Sequence, residues 1–570
     1  MNKTSNKNQH ILRALAVLTI IVLLVVLSSM IHFRVDLTED NRYTLSETTH
    51  DVLNDLEGIA YIKVYLQGEM PVAFTRMQDA IIELLDEYKI ISDGNVQYEL
   101  INPHAEEDRE IRQELFAYLY DTGLQPVNVQ ATDEEGGSSQ KMIFPGAIVN
   151  YNGIELGLNL LKNNPGLAPE VNLNHSIQAL EYEFTNSIRN LSSDTLEKIA
   201  FIEGHDELNQ YAVGDITKEL ANYYQVDRGA INGIPGVLDD YQAVIIAKPK
   251  ETFTEADKFV LDQYIMRGGR VAWFVDPVSI NMDSLRMGRT IALLRDLNLD
   301  DQLFHYGVRI NPVLVKDIQA GVIPVNTAVS GAPAKFTRAP WNYYPLLGPN
   351  PQHPVTTNLN LVSGKFTSSV DTVGGNPNVS KEVLLSTSRF TQVLSMPAII
   401  SLEEVSKQPN KEDYNQPFQT VAVMLEGSFH SVFKNRPIEQ FLSNSAWQFT
   451  EESTDTRLLV VADGDIIKND VSYRQGSPVI STLGFDKYTR QTFGNKEFIM
   501  NAIHYLSGKK ELIELRAKDY KLRLLDKSKI KSKSAKVKWQ LLNVLAPIIL
   551  IMVIGVFINF RKKYVYGKTM

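Results

Sequence analysis

The 570-residue sequence contains no cysteine. That absence removes disulfide frameworks, thiolate metal sites, cysteine nucleophiles and CxxC redox chemistry in one step. A phosphate-cradling G-x-x-x-x-G-K-[ST] loop is also missing, because Gly567-Lys568-Thr569 lacks the upstream glycine, so the chain is not expected to hydrolyse nucleotide itself. There is no HExxH, no GxSxG and no GxGxxG, and the ten histidines are scattered without ligand spacing. No catalytic residue, metal or cofactor is assigned on these grounds.

What is present is charge, unevenly placed. The formal net charge of -10 averages three unlike segments. Residues 1–31 carry Lys3, Lys7 and Arg13 and no acid, and residues 516–570 carry fourteen lysines and arginines against Asp519 and Asp526. Residues 32–515 are left with 40 basic and 65 acidic side chains. An acidic body between basic ends is a poor nucleic-acid binder, since phosphate contacts need positive faces.

The two basic ends contain the long apolar runs. Ala14–Ile31, extended upstream by Ile11 and Leu12, and Trp539–Phe560 hold no charged residue, and each is long enough to cross a hydrocarbon core of about 30 Å. The first run exceeds a usual signal-peptide core and Ser28-Ser29-Met30 is a weak cleavage site, so an uncleaved anchor is expected. The basic N-terminal tail and Arg561, Lys562, Lys563 and Lys568 after the second span fit the cytoplasmic side, although six lysines between 527 and 538 crowd the other side of that span. Long domains translocate largely regardless of charge. The expectation is a two-pass protein of the cell inner membrane, both termini cytoplasmic and the large domain periplasmic.

The segmentation that follows is a tail at 1–10, a first span at 11–31, an α/β domain at 32–195, a second α/β domain at 196–507 with a β-containing insertion at about 278–455, a basic stalk at 508–538, a second span at 539–560 and a tail at 561–570. In the first domain, strand-like Ile62–Gln67 and Val96–Ile101 alternate with helical stripes at 77–88 and 106–120. Val127–Gln130, Met142–Tyr151, Ile154–Leu160 and a closing helix through Leu191 follow. That β-α-β-α-β-β-α order is thioredoxin-like, yet Gly68-Glu69-Met70-Pro71 stands where a redox motif would sit. In the second domain Lys198–Glu203, Ala243–Ala247, Arg270–Val275 and Leu458–Ala462 read as strands. Helical patterns between them imply a parallel sheet covered on both faces.

Ligands of open parallel sheets bind outside the carboxyl ends of the strands. Those ends offer Glu203, His205, Asp206, Lys248, Asp276, Asp463 and Asp465 as a candidate ligand cleft. His205 between carboxylates has the chemistry of a general base or metal ligand, but a solvated loop histidine is the commoner meaning of such a pattern. Asp463-Gly464-Asp465 has hard oxygens for a divalent cation, and is equally an Asx-type turn.

Several segments together resemble one family. Arg34–Ser46 (RVDLTEDNRYTLS) after the first span, FPGAIVNY at 144–151, LEYEF at 180–184, IAFIEGHDE at 199–207 and GGRVAWFVDP at 268–277 are similar to ABC-transporter auxiliary proteins. GNKEFIMNAIHYLSG at 494–508 and LRLLDKSK at 522–529 are similar to the gliding-motility-associated branch. The resemblance implies a substrate-binding auxiliary role beside a separate permease and a separate cytoplasmic ATPase, in addition to the lipid bilayer. It also implies a flavodoxin-like, glutamine-amidotransferase-like second domain. Amidotransferases need a cysteine nucleophile, so that activity is excluded by composition. The expected protein is a non-enzymatic transporter component; the rival readings are a structural scaffold and a metal-assisted hydrolase using His205, Asp276, Asp463 and Asp465.

Overall fold

The computed structural model describes residues 44–566 apart from 133–137, 162–168, 193–195, 327–334, 375, 440, 442–447, 475 and 509–532, together with Ala16 and Thr19. All of the first expected span but Ala16 and Thr19, most of the basic stalk and the last four residues lie outside the described residues. Leu45–Lys518 forms one compact unit, and the flanking residues Met1–Thr44 and Asp519–Met570 form another.

The smaller sheet lies in the first part of the body. Helix α1 (Glu47–Asn54) leads to strand β1 (Ala60–Val64), α2 (Val72–Ile91), β2 (Val96–Leu100) and α3 (Arg109–Asp121). A hairpin of β3 (Val127–Thr132) and β4 (Ser138–Ile143) precedes β5 (Gly146–Tyr151), β6 (Ile154–Asn159) and α4 (Pro169–Ser192). The order across the sheet is β2-β1-β5-β6, with β1 parallel to β2 and antiparallel to β5. Met77, Ile81, Leu85 and Tyr88 recur at helical spacing on α2 and are all buried against Ile62, Val64 and Val149 of the sheet, with Leu180, Phe184 and Ile188 of α4 closing the same core.

Two sequence expectations in this part need correction. Met142–Tyr151 is two strands, because Pro145 has no N–H to continue a ladder and the chain turns between β4 and β5. The stripe of Ile111, Leu115 and Tyr118 read from the sequence is not the buried face of α3: the buried residue is Leu119, while Ile111 is 52% exposed.

The larger sheet is built from β7 (Lys198–Glu203), β8 (Gln225–Ala230), β9 (Ala243–Ala247) and β10 (Arg270–Phe274), with α5 (Gly214–Leu220) and α6 (Glu255–Met266) between them. Strands β11 (Ala320–Asn326), β12 (Phe336–Pro349), β13 (Val379–Ser386), β14 (Thr420–Gly427) and β15 (Thr456–Val461) and helix α7 (Asn495–Leu506) complete it. The order is β11-β12-β13-β14-β15-β10-β9-β7-β8. The five strands from β8 to β15 are mutually parallel, whereas β11 to β14 pair antiparallel. Residues 278–455 thus contribute five strands to this ten-stranded sheet, the fifth being the short Val362–Ser363, which pairs with β12 off the main path.

Alternation along the strands explains the two covered faces. Ile199 and Phe201 of β7 pack with α5 and α7 on one side, and Ala200 and Ile202 with α6 on the other. Strand β9, AVIIA, is buried at every position, as a central parallel strand must be. Helix α6 starts where the Thr254 hydroxyl accepts the Asp257 N–H at 3.1 Å and stops before Gly268, whose φ of 88° suits a left-handed cap. Strand β8, QVDRGA, escaped the sequence reading because it is a polar edge strand without an apolar run.

The separate helix α8 (Lys533–Tyr566) contains Val537–Arg561, 25 residues long and apolar enough to cross a membrane. At 1.5 Å per residue that stretch reaches about 38 Å, more than the hydrocarbon core requires.

Candidate functional site

The carboxyl ends of β9, β10 and β15 lie side by side, and each contributes a charged residue just beyond the last strand position. Lys248 follows β9 with φ of 57°, a left-handed backbone that a lysine seldom adopts. Its Nζ stands 2.8 Å from Asp276 Oδ2 and 2.5 Å from Asp465 Oδ2. The backbone N–H of Gly464 donates to Asp276 Oδ1 at 2.6 Å. Only glycine fits there: a Cβ on Gly464 would stand 2.6 Å from Lys248 Cβ and Cγ.

Burial opposes the charge of Lys248, but the two carboxylates more than offset it and raise its pKa above the ordinary lysine value. Asp465 loses solvation too, yet Lys248, followed by Lys468 and Lys365, holds its pKa below the usual carboxylate range. Asp463 lies behind this pair, fully buried. Its Oδ1 accepts the Asp465 N–H at 2.8 Å, which is the Asx-type turn. Its Oδ2 accepts the Lys365 N–H at 2.8 Å and the Thr367 hydroxyl at 2.5 Å. Burial, with Asp276 and Asp465 nearby, pushes the Asp463 carboxyl up, to about 8.

This wall borders a cavity of about 650 Å³. Its other side is made by the segment between β10 and β15: Gly321–Ile323 beside the β-bulge of β11, Tyr344 of β12, and Lys365-Phe366. Arg295, fastened by its backbone N–H to the Pro277 carbonyl at 2.8 Å, reaches the same space.

His205 belongs to a different cluster. It is 5% exposed, not solvated. Its Nδ1 lies 3.1 Å from Glu207 Oε1 and its Nε2 3.4 Å from Asp257 Oδ2, with the ring stacked on Phe253 at 3.6 Å between centroids. Asp257 is held in turn by the Gly233 N–H at 2.8 Å and the Thr254 hydroxyl at 2.7 Å. Burial disfavours the imidazolium, but the hydrogen bonds to Asp257 and Glu207 prevail and raise its pKa to about 9. Glu203 pairs at the surface with Arg228 and Asp206 with Lys250. The seven candidate residues therefore separate. Lys248, Asp276, Asp463 and Asp465 come together, whereas Glu203, His205 and Asp206 point to partners of their own. Among the described residues no group of three or more histidines and acids is arranged to hold a metal ion. Sequence reasoning missed Arg295 and Lys365 at the cavity, Thr367 behind it on Asp463, and Glu207 and Asp257 around His205.

The family described as "ABC-type uncharacterized transport system" matches residues 196–502, more than half of the chain. The chain belongs to this family. The matched segment of this ABC-transport-family member contains the large sheet, the Lys248 cluster and the cavity. A domain of unknown function, DUF7088, matches residues 39–150. No curated protein matches the chain. Among solved structures, the mmIFT52 N-terminal domain is 13% identical over 55% of this chain and 97% of that one, with a TM-score of 0.31. A ThuA-like protein from Parabacteroides merdae is 8% identical over 55% and 91%, with a TM-score of 0.25. Likeness at that level assigns no activity to this ABC-transport-family protein.

Proposed function

We propose that this protein is a non-catalytic, membrane-anchored auxiliary subunit of an ABC transporter in the gliding-motility-associated branch, the group that includes the protein called GldG. It holds its body on the periplasmic side of the inner membrane, with both termini in the cytoplasm, and works with a separate permease and a separate ATPase. The observation that carries this reading is the family match over residues 196–502. The apolar helix at Val537–Arg561 supports the anchor, and the missing phosphate loop supports the division of labour with an ATPase. The β2-β1-β5-β6 order fits a thioredoxin-like domain, and the parallel order β8-β7-β9-β10-β15 fits the flavodoxin-like arrangement shared by amidotransferase-like folds.

Two observations favour a binding role over the rivals. His205 is clasped by Glu207 and Asp257 while Asp276 and Asp465 close on Lys248, so the residues of the hydrolase reading are split and their carboxylates are occupied. A cavity at the strand ends is where a ligand of an open sheet sits, which a pure scaffold does not need. The test is a pull-down of the tagged full-length protein from its native membranes in mild detergent. Co-purification of a multi-span permease and a P-loop ATPase is expected; recovery of neither overturns the reading. Reporter fusions at each end are expected to show two cytoplasmic termini.

A further inference from the structure

The cavity at the carboxyl ends of β9, β10 and β15 is positive inside an acidic body. Seven lysines and arginines line it against four aspartates, whereas residues 32–515 as a whole carry 25 more acids than bases. Five of the seven cations are ion-paired, Lys250 and Arg286 with Asp206 and Asp283 outside the lining, which leaves Arg295 and Lys487 without a carboxylate partner among the described residues. The four aspartates are already engaged. Asp276 and Asp465 both bind Lys248, Asp470 pairs with Lys365 at 3.4 Å, and Asp486 accepts the N–H groups of Tyr488 and Thr489 in its own turn. The cations are less satisfied. Arg295 is half-buried between the ends of β9 and β10. Among the described residues its side chain makes one hydrogen bond, from Nη1 to the Pro249 carbonyl at 3.3 Å, and has no carboxylate partner. A guanidinium carries five N–H donors, so the remainder are left for whatever fills the cavity. The Lys487 ammonium stands 5.2 Å from the centroid of the Tyr488 ring, and among the described residues it has no ion-pair partner.

A half-buried guanidinium without a counter-charge gains from an anion that completes it, and the exposed Lys487 on the lining adds a second positive charge for the same anion. Tyr344, Phe366 and Phe493 add aromatic faces to the same space, and about 650 Å³ is within the range of small-molecule sites, about 300–1,000 Å³. We propose that this cavity binds a soluble small molecule bearing phosphate or carboxylate groups, with Arg295 and Lys487 as its principal cationic contacts and the aromatic side chains against its less polar part. Lys248 serves as the fixed back wall, already neutralised by its two aspartates. The inference rests on the reading of the body as the ligand-presenting part of the transporter, and names the class of ligand presented.

The test is calorimetric titration of the detergent-solubilised full-length protein with inorganic pyrophosphate and with citrate, glycerol serving as the uncharged control. Binding of at least one anion is expected, weakening as salt is raised. Arg295→Gln combined with Lys487→Gln is expected to weaken it about tenfold or more while leaving the melting temperature unchanged. A matched pair of substitutions away from the cavity, Lys434→Gln and Lys411→Gln, is expected to leave it intact. Absence of binding by both anions, or equal binding by the two double variants, overturns the proposal. Binding that appears only when anionic lipid is added also overturns it, since the ligand would then be a headgroup. The pull-down above separates the two readings: a cavity variant that loses the anion but still recovers permease and ATPase supports both. A wild-type protein that recovers them and binds neither anion sinks this inference alone.

Discussion

A cation between two carboxylates occurs twice at the same edge of the large sheet, with opposite consequences. Lys248 lies between Asp276 and Asp465 and forms one wall of an open cavity. His205 lies between Glu207 and Asp257, but Phe253 stacks on its ring, and it does not line that cavity. Both clusters satisfy buried charge by pairing, and both follow a strand with left-handed backbone nearby, at Lys248 and at Asp206. The difference is what closes over them. An aromatic lid makes the histidine a clasp between the β7 and α6 ends, while the antiparallel extension stands off from the lysine and leaves room for a ligand.

The comparison breaks most severely at Lys248. Lys248→Met leaves buried Asp276 without its cation and Asp465 with only the more distant Lys468 at 3.7 Å, and the full-length protein is expected to lose about 3–5 kcal/mol in denaturant unfolding, the cost of leaving one partner of a buried pair alone. A loss under about 1 kcal/mol would show that the pairing is not what stabilises this wall.

The histidine clasp is expected to respond to pH instead. Because its folded pKa is raised to about 9, above the ordinary 6.5, the stability it adds is complete below about pH 6.5 and is lost as pH rises through about 9. The difference in stability between the wild type and His205→Gln should therefore shrink by on the order of 2–3 kcal/mol between pH 6 and pH 10. A difference that stays flat over this range would show that the imidazole is neutral in its clasp.

Smaller, and shared with the helix, is the effect of Thr254→Ala. It removes the N-cap of α6 and one hydrogen bond to Asp257. About 1 kcal/mol of destabilisation is expected by thermal unfolding, with no change in anion binding at the cavity. An equal loss of binding would join the two clusters that the structure separates.

Much of the body was legible because helices and strands are written in local periodicity. The 3.6-residue stripe of Met77, Ile81, Leu85 and Tyr88 and the unbroken run Ala243–Ala247 need no distant partner to be recognised. The edge strand Gln225–Ala230 was not legible, since half its surface faces solvent and pairing with β7 is its only signature. The candidate cleft was legible as a set of strand-end residues but not as a site. Nothing local distinguishes Asp276, which meets Lys248, from Asp206, which meets Lys250 at the surface.

By itself the sequence determined what this protein cannot do by cysteine or phosphate-loop chemistry, where apolar runs long enough for a membrane lie, and which charged residues stand at strand ends. Those properties depend on composition and on neighbours a few positions apart. Only the tertiary structure decided that Gly464 and Asp276, 188 residues apart, meet by a hydrogen bond. It likewise decided that Thr367 reaches Asp463 across 96 residues, and that His205 is sealed while Lys248 faces a cavity. The physical reason is that charge pairing acts over a few ångströms of space, and space at the sheet edge is assigned by strand order.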